Sequence, residues 1–542
     1  MSAARAAGLF TALAVLFTWP QVLHPLSVPG VQDAYFNIWR IAWIAHQLPG
    51  DPAHLFDANI YYPEARTLLL SDAVLLQGVV ALPFVKLGVP VVLVTNVLIF
   101  GGFVLSALGM FLLVHDLTGR AWAAVLAGIV FAFAPFRFDH YFHLEMGWAQ
   151  WMPLTLWMAH RTLESGRWTH GLLTGFFFAL QGYSSIYYTI FLAAGLLVAA
   201  PCLLWAAAPT LRWRAARSLG VGAIVAALLL APYVAVYRQA AVDTGGRSRQ
   251  ETLLAYSAGP KHYLATMPAS VLYGRLTGAL GQHEKRLFPG LVVMALVAFA
   301  LWPPVDRRRV AYALMLAVAV DISFAGRGLL LPWLYDHVFA FRGLRVPPRI
   351  GQLVLLAAGV LAAFGLVRLT DRLRAAGRRW SPAVGAVAIG LTCVEYLSWP
   401  AALAPVATQP SAATVWLRTQ PRGVVAELPA PGPVAKGMPE ALYQYESTFH
   451  WNPLLNGYSG MYPPAYVQWV QDMRDFPSDA SFAALRARGA SYVMVHERHY
   501  ASGEYQRIVR ALAERADLVG YGPFPDGVHE TRAYRLLAAK TE

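Results

Sequence analysis

The chain has 542 residues, 57% of them hydrophobic and only 13% charged, with a net charge of +13. Soluble proteins carry roughly 25% charged residues, so this composition describes a polytopic membrane protein and excludes an ordinary soluble enzyme. The positive charge sits in short arginine-rich loops between apolar stretches, not along a groove of a soluble fold, which excludes nucleic-acid binding.

A membrane span needs about 20 apolar residues. Segments of that kind lie at 6–24, 91–114, 121–136, 147–163, 169–183, 185–206, 217–237, 287–303, 309–325, 350–369 and 382–400. They predict about eleven transmembrane helices. The N-terminal run has no small-residue cleavage site before Asp33 and reads as an uncleaved first span. With the N-terminus inside, HDLTGR, RTLESGR, TLRWRAAR, VDRRR and TDRLRAAGRR all fall in the cytoplasm. That is the asymmetry expected of basic loops. The outer face then receives 25–90, 137–146, the turn near Tyr183, 238–286, 326–349 and everything after Pro400. Residues 73–89 are apolar but short and interrupted by Pro83, and read as a re-entrant or interfacial piece. Both cysteines, Cys202 and Cys393, fall inside apolar spans and read as small packing residues.

The tail, 401–542, changes character. Pro and Ala dominate 401–411, a linker. Val424–Leu428 reads as a strand, 478–488 as a capped helix ended by Gly489, SYVMVHE as a strand, 503–516 as an amphipathic helix and 531–537 as a last strand. The expected architecture is an all-α transmembrane domain over 1–400 with a large first outer loop (25–90), followed by a small α/β extracytoplasmic domain over 401–542. No P-loop or dinucleotide glycine motif is present.

Polar residues gather on the outer side. The first outer loop carries Asp33, just beyond the first span, with Tyr62, Glu64 and Asp72. As a helix N-cap Asp33 would be unremarkable in type; as a carboxylate fixed at a membrane surface it is also a candidate general base. The loop PFRFDHYFHLEMGWAQW supplies Arg137, Asp139, His140, His143, Glu145 and Gln150. Ionisable groups near a bilayer are costly and tend to serve a site. His140 and His143 share a helical face, and with Asp139 or Glu145 they could ligate a divalent cation. Tyr183 lies in the next outer turn. Arg342, Arg345 and Arg349 precede a span on the face where positive charge is disfavoured, and a guanidinium fork matches phosphate oxygens; snorkelling to headgroups is the plainer use. Asp321 and Glu395 lie near outer span ends. The segment HWNPLLNGYSGMYPPAY (450–466) combines aromatics with amides, as sugar-binding surfaces do, though turn chemistry accounts for it as well.

QDAYFNIWRIAW, NIYYPEARTLLLSD, FAPFRFDHYFHLEMGWAQWMPL and NGYSGMYPP resemble the class C glycosyltransferase superfamily, and within it bacterial membrane proteins of glycosyltransferase type. The resemblance implies a transferase, of hexosyl type, that moves sugar from a polyprenyl-phosphate carrier to an acceptor outside the cytoplasm, in the inner membrane among its lipids. It implies Asp33 as the catalytic acid, acting as base; the residues of the outer polar loop themselves offer Asp139, Glu145 and His143 as further acid–base candidates. Tyr62, Glu64, Asp72, Arg137, His140, Gln150 and Tyr183 would border the substrate, and Arg342, Arg345 or Arg349 would hold the carrier phosphate. The family often pairs acids in its first loop; here Ala34 follows Asp33, so a second carboxylate would come from Asp72, Asp139 or Glu145, and a divalent cation stays optional. A transporter or flippase of lipid-linked solutes, or a non-catalytic scaffold of envelope assembly, would instead need charges deep in several spans, or outer acids that tolerate alanine.

Overall fold

The computed structural model describes residues 1–29, 32–245, 248–377, 381–400, 402–432, 439–501 and 503–537. Arg378 and Arg379, counted above in a basic loop, lie outside them. The chain forms two compact units. The first comprises Met1–Pro25, Asn96–Ala235 and Gly245–Ala402; the second comprises Leu26–Thr95, Val236–Thr244 and Leu403–Glu542. The first outer loop thus packs with the tail.

The first unit is helical. Every expected span carries a helix, but five are long and apolar enough to cross a membrane: Val91–Thr118, Ala121–Asp139, Ile186–Ala206, Arg212–Asp243 and Pro347–Ala375. The others are shorter, such as Ala3–Phe17 and Leu291–Leu301, or carry charge in the helix, as Arg307–Ser323 does. The figure of eleven crossings is therefore not reached by length and composition. Gly351–Ala375 is the central helix, buried along most of its first two-thirds, to Leu366. It packs on Ala121–Phe133, Leu291–Leu301 and Arg307–Ser323.

Small residues set the closest helix approach. A Cβ on Gly175 would lie 1.9 Å from the carbonyl oxygen of Gly222, and one on Gly171 1.9 Å from that of Ser218. Helices Trp168–Ser184 and Arg212–Asp243 thus meet backbone to backbone. Close backbone approach of this kind is how helices associate where lipid removes the hydrophobic drive between them.

The second unit holds two sheets. Ser27–Pro29 (β1) pairs antiparallel with Leu403–Pro405 (β2), so part of the expected linker is a strand. The main sheet has Val424–Leu428 (β3), Ala490–His496 (β4), Leu518–Asp526 (β5) and His529–Leu536 (β6) in the order β3-β4-β6-β5. β3 and β4 run parallel, and the other pairings are antiparallel. Ser478 caps the helix Asp479–Ala487, its hydroxyl accepting from the Ser481 amide, and Gly489 ends the segment at φ 71°. β5 escapes sequence reading because Gly520, Gly522, Pro523 and Pro525 look like turn residues.

The segment 450–466 is interior connection, not an open surface. Asn456 is fully buried. Its side chain accepts from the Glu427 amide at 2.7 Å and donates to the Glu427 carbonyl at 2.9 Å and to Glu440 Oε2 at 3.1 Å. Backbone bonds tie the same stretch to the first loop: Tyr61 N donates to Asn456 O, Tyr62 N to Leu454 O, and Leu454 N to Asn59 O. Asn59 donates to Ser447 Oγ and Asn452 O, and accepts from the Trp39 indole. Buried amides suit this role because each supplies donors and acceptors without a charge to desolvate.

Glu440 is the carboxyl at the centre of this network, accepting from Tyr466 Oη at 2.7 Å. Burial pushes its pKa up to about 7 against the pull of Tyr466 and Asn456. The folded state therefore holds a proton that the unfolded chain has shed. The associated stabilisation is complete below pH 4.5 and is lost as pH rises through about 7, an effect on the order of 3 kcal/mol at most. Melting temperatures of the purified protein should fall between pH 5 and 8. Glu440→Gln, which mimics the protonated form, should flatten that decline; an unchanged slope would contradict the assignment.

Candidate active site

In the first unit a short irregular loop follows Ala121–Phe133. Pro135 starts a helical turn through Asp139, and a second turn spans Leu144–Gly147. Arg137 holds the loop: it is buried, and its guanidinium donates to the carbonyl oxygens of Met146 and Gly147 and faces the Phe103 ring.

Around this loop gather residues distant in sequence. Arg349 Nη2 donates to Glu284 Oε1 at 2.6 Å and Nε to Oε2 at 3.2 Å, a two-pronged pairing. Nη2 also lies 3.2 Å from His143 Nε2. A guanidinium only donates, so that nitrogen is the acceptor and His143 carries its proton on Nδ1. Arg286 Nη1 donates to Asp139 Oδ1 at 2.9 Å, and the Asp139 carbonyl bonds His283 Nε2. His140 Nε2 lies 3.6 Å from Glu284 Oε2. The His140 ring is 5.1 Å from that of His283 and 5.3 Å from that of His143, centre to centre.

Electrostatics follow from burial. His140 is 3% exposed, and both ring nitrogens lack a hydrogen-bond partner among the described residues. Burial holds its pKa well below the ordinary value, with Glu284 opposing, so the imidazole is neutral. Burial would raise the Glu284 carboxyl, but the Arg349 guanidinium, by charge and hydrogen bond, outweighs it and holds it below the usual range.

His283, Glu284 and Arg286 were not singled out from sequence. The signal was there: HEKR stands just before an apolar stretch. The structure also rearranges the expected metal ligands. His140, His283 and Glu284 each place a ligand atom within 4.8 Å of the others, whereas Asp139 is taken by Arg286 and His143 by Arg349. A divalent cation fits the first three: a neutral imidazole with idle nitrogens is the ligating form, and two imidazoles with a carboxylate suit zinc or manganese. Arg349 already neutralises Glu284, so a cation would share that carboxylate.

The other expected residues of this unit separate by role. Glu145 and Gln150 are buried, and neither amide atom of Gln150 has a partner among the described residues. The Tyr183 hydroxyl donates to the Leu229 carbonyl, a helix-to-helix tie. The three arginines divide. Arg342 donates to the carbonyls of Tyr335 and Asp336, closing the end of a short helix. Arg349 is paired with Glu284. Arg345 is exposed, its guanidinium held among the described residues only by Tyr256, at 3.5 Å from Oη and over the ring, which leaves donors for an anion.

In the second unit the helix Gln32–Gly50 begins one residue before Asp33. Asp33 therefore lies inside the first turn, where helix partial charges favour a carboxylate. Its Oδ1 accepts from Tyr458 Oη at 2.9 Å. Two turns on, the Arg40 guanidinium is buried over the Phe36 ring and donates to Asn37 Oδ1 and the Asp72 carbonyl. Asp72 is buried, while Tyr62 and Glu64 are exposed on the loop. Tyr458 is a contact that sequence reasoning missed; 425 residues separate it from Asp33.

No family model and no curated protein matches the chain. Solved structures do. The arabinofuranosyltransferase AftD from mycobacteria aligns over 98% of this chain at TM-score 0.62 and 16% identity, the chain spanning 42% of that protein. The archaeal oligosaccharyltransferase AglB from Archaeoglobus fulgidus, solved with an inhibitory peptide and a dolichol-phosphate, aligns over 91% of this chain and 69% of its own at TM-score 0.52 and 13% identity. ArnT from Cupriavidus metallidurans, bound to undecaprenyl phosphate, aligns over 97% of both chains at TM-score 0.49 and 13% identity, too loose a match to argue from. The chain shares its fold with the first two of these membrane sugar-transferring enzymes, and five of its helices are long and apolar enough to cross a membrane.

A cation on His140, His283 and Glu284 would stabilise the fold by about 2.7 kcal/mol at a hundredfold excess over Kd. Zinc or manganese added to purified, chelator-treated protein should therefore raise its melting temperature. His140→Ala should abolish the increment, judged against its own metal-free baseline; equal increments in both proteins would exclude the site.

Proposed function

We propose that the protein is a glycosyltransferase that takes sugar from a polyprenyl-phosphate carrier and transfers it to an acceptor outside the cytoplasm. The observation that carries this reading is the fold, shared over nearly the whole chain with a sugar transferase; the oligosaccharyltransferase with bound dolichol-phosphate suggests the donor class. The protein would lie in the cytoplasmic membrane, its basic loops inside and its tail outside.

Asp33 takes the base role. Its carboxylate removes the acceptor hydroxyl proton as the oxygen attacks the anomeric carbon. The new C–O bond forms as the bond between that carbon and the phosphate oxygen breaks, and the electron pair leaves on the lipid phosphate. Tyr458 holds one carboxylate oxygen, which orients the other. Attack opposite the leaving group inverts the anomeric centre. Arg345 is the guanidinium we assign to the carrier phosphate, because its exposure and single long hydrogen bond leave its fork available. His140, His143 and Glu284 support the charge balance of the site in the first unit, with or without a cation. Without a nucleotide motif, the carrier is the energy source of transfer.

A positioned base contributes roughly 10²- to 10⁴-fold. In vesicles supplied with a polyprenyl-phosphate sugar, Asp33→Asn should lose transfer by that factor while melting like the parent. Arg345→Ala in the same assay should chiefly raise the donor KM. A folded Asp33→Asn protein with full transfer would refute the assignment.

A further inference from the structure

A second ligand site stands out in the second unit, in a place the transfer chemistry does not use. A cavity of about 340 Å³ opens where β3 runs into Pro429–Pro431. Tyr500, which follows β4, lines it too, as do the helix Pro464–Asp472 with its C-terminal turn and the start of the helix Glu504–Ala513. β3 and β4 are the parallel pair of the sheet. Open sheets bind ligands in the crevice beyond the carboxyl ends of such strands.

Four polar side chains point to the chemistry: Gln471, Arg474, Tyr500 and Glu504. None makes a hydrogen bond or ion pair with another described residue. Arg474 only donates, Glu504 only accepts, and the amide and phenol do both. Their charges cancel, so the wall favours neither an anion nor a cation. Apolar lining completes it, with Phe476 and Val470 among the contributors. A neutral ligand with many hydroxyls matches both parts: each hydroxyl donates and accepts, and the C–H faces of a sugar ring lie on aliphatic and aromatic carbon. The volume is at the lower end of small-molecule sites and suits one or two sugar rings.

We propose that this cavity is a saccharide-binding site, holding a neutral sugar unit of a glycan. It rests on the glycosyl-transfer reading only for the source of that glycan. Arg474 and Glu504 act as the paired donor and acceptor for vicinal hydroxyls, with Gln471 and Tyr500 completing the ring of contacts.

The test reads binding and not transfer. Full-length protein in detergent is presented with methyl glycosides of glucose, galactose, mannose, arabinose and N-acetylglucosamine and with their disaccharides, and saturation transfer to each is recorded by NMR. At least one sugar should show transfer. Arg474→Ala and Glu504→Gln, made separately, should each weaken that sugar at least tenfold, while Gln468→Ala, an exposed change on the same helix outside the lining, should leave it unaltered. Asp33→Asn should bind the sugar normally even where it abolishes transfer, which separates failure of the two readings. Silence from every sugar, equal binding by both cavity variants, or displacement of the bound sugar by inorganic phosphate would overturn the proposal.

Discussion

Buried charge must be paired, and in the first unit that requirement falls on Glu284 and Arg349. Removing one member of a fully buried ion pair costs on the order of 3–5 kcal/mol, because the other is left uncompensated; this pair is half-buried and falls below that figure. The pairing is two-pronged, which suits the rigid guanidinium fork. It fastens a loop from one part of the chain to the start of the central helix. The same arginine orients His143, and the same carboxylate faces His140. Arg286 and Asp139 repeat the device at the loop's edge. The histidines sit where these pairs leave them, and the neutral state of His140 is the price of its burial.

The second unit meets a similar constraint by other means. Its interior connection uses neutral amides, Asn59 and Asn456, which satisfy both backbone and side-chain partners. Its central carboxyl, Glu440, answers burial by holding a proton, not by finding a cation. Two units of one chain thus show both routes by which a buried acid becomes tolerable: pairing and protonation.

Fold alone does not assign chemistry. What gives the transfer reading substance is a set of separate demands met by individual side chains. A carboxylate sits in the first turn of a helix with a tyrosine to orient it. A guanidinium stands exposed with spare donors. A cluster of imidazoles and a carboxylate is arranged as metal ligands are. A saccharide cavity on the sheet would complement such an enzyme by retaining the glycan while its reacting end is elsewhere. It draws on different residues and a different physical logic, hydroxyl complementarity without net charge.

Much was legible in the sequence because it depends on local pattern. Apolar run lengths placed a helix at every expected span, and serine caps, glycine stops and alternating strands marked most of the sheet domain. The outer polar loop and Asp33 were visible as charges beside apolar stretches. Tertiary structure decided the rest. Arg342, Arg345 and Arg349 are the same residue within eight positions, yet one closes a helix, one is open and one is half-buried in an ion pair. Residue type states what a side chain can bond to; only packing states what lies within reach. For the same reason His283, Glu284 and Tyr458 joined their clusters unannounced, and β5 formed from glycines and prolines that locally favour turns. Local periodicity is written in neighbouring residues, whereas a site assembled from distant segments is fixed by burial and charge pairing that no single stretch contains.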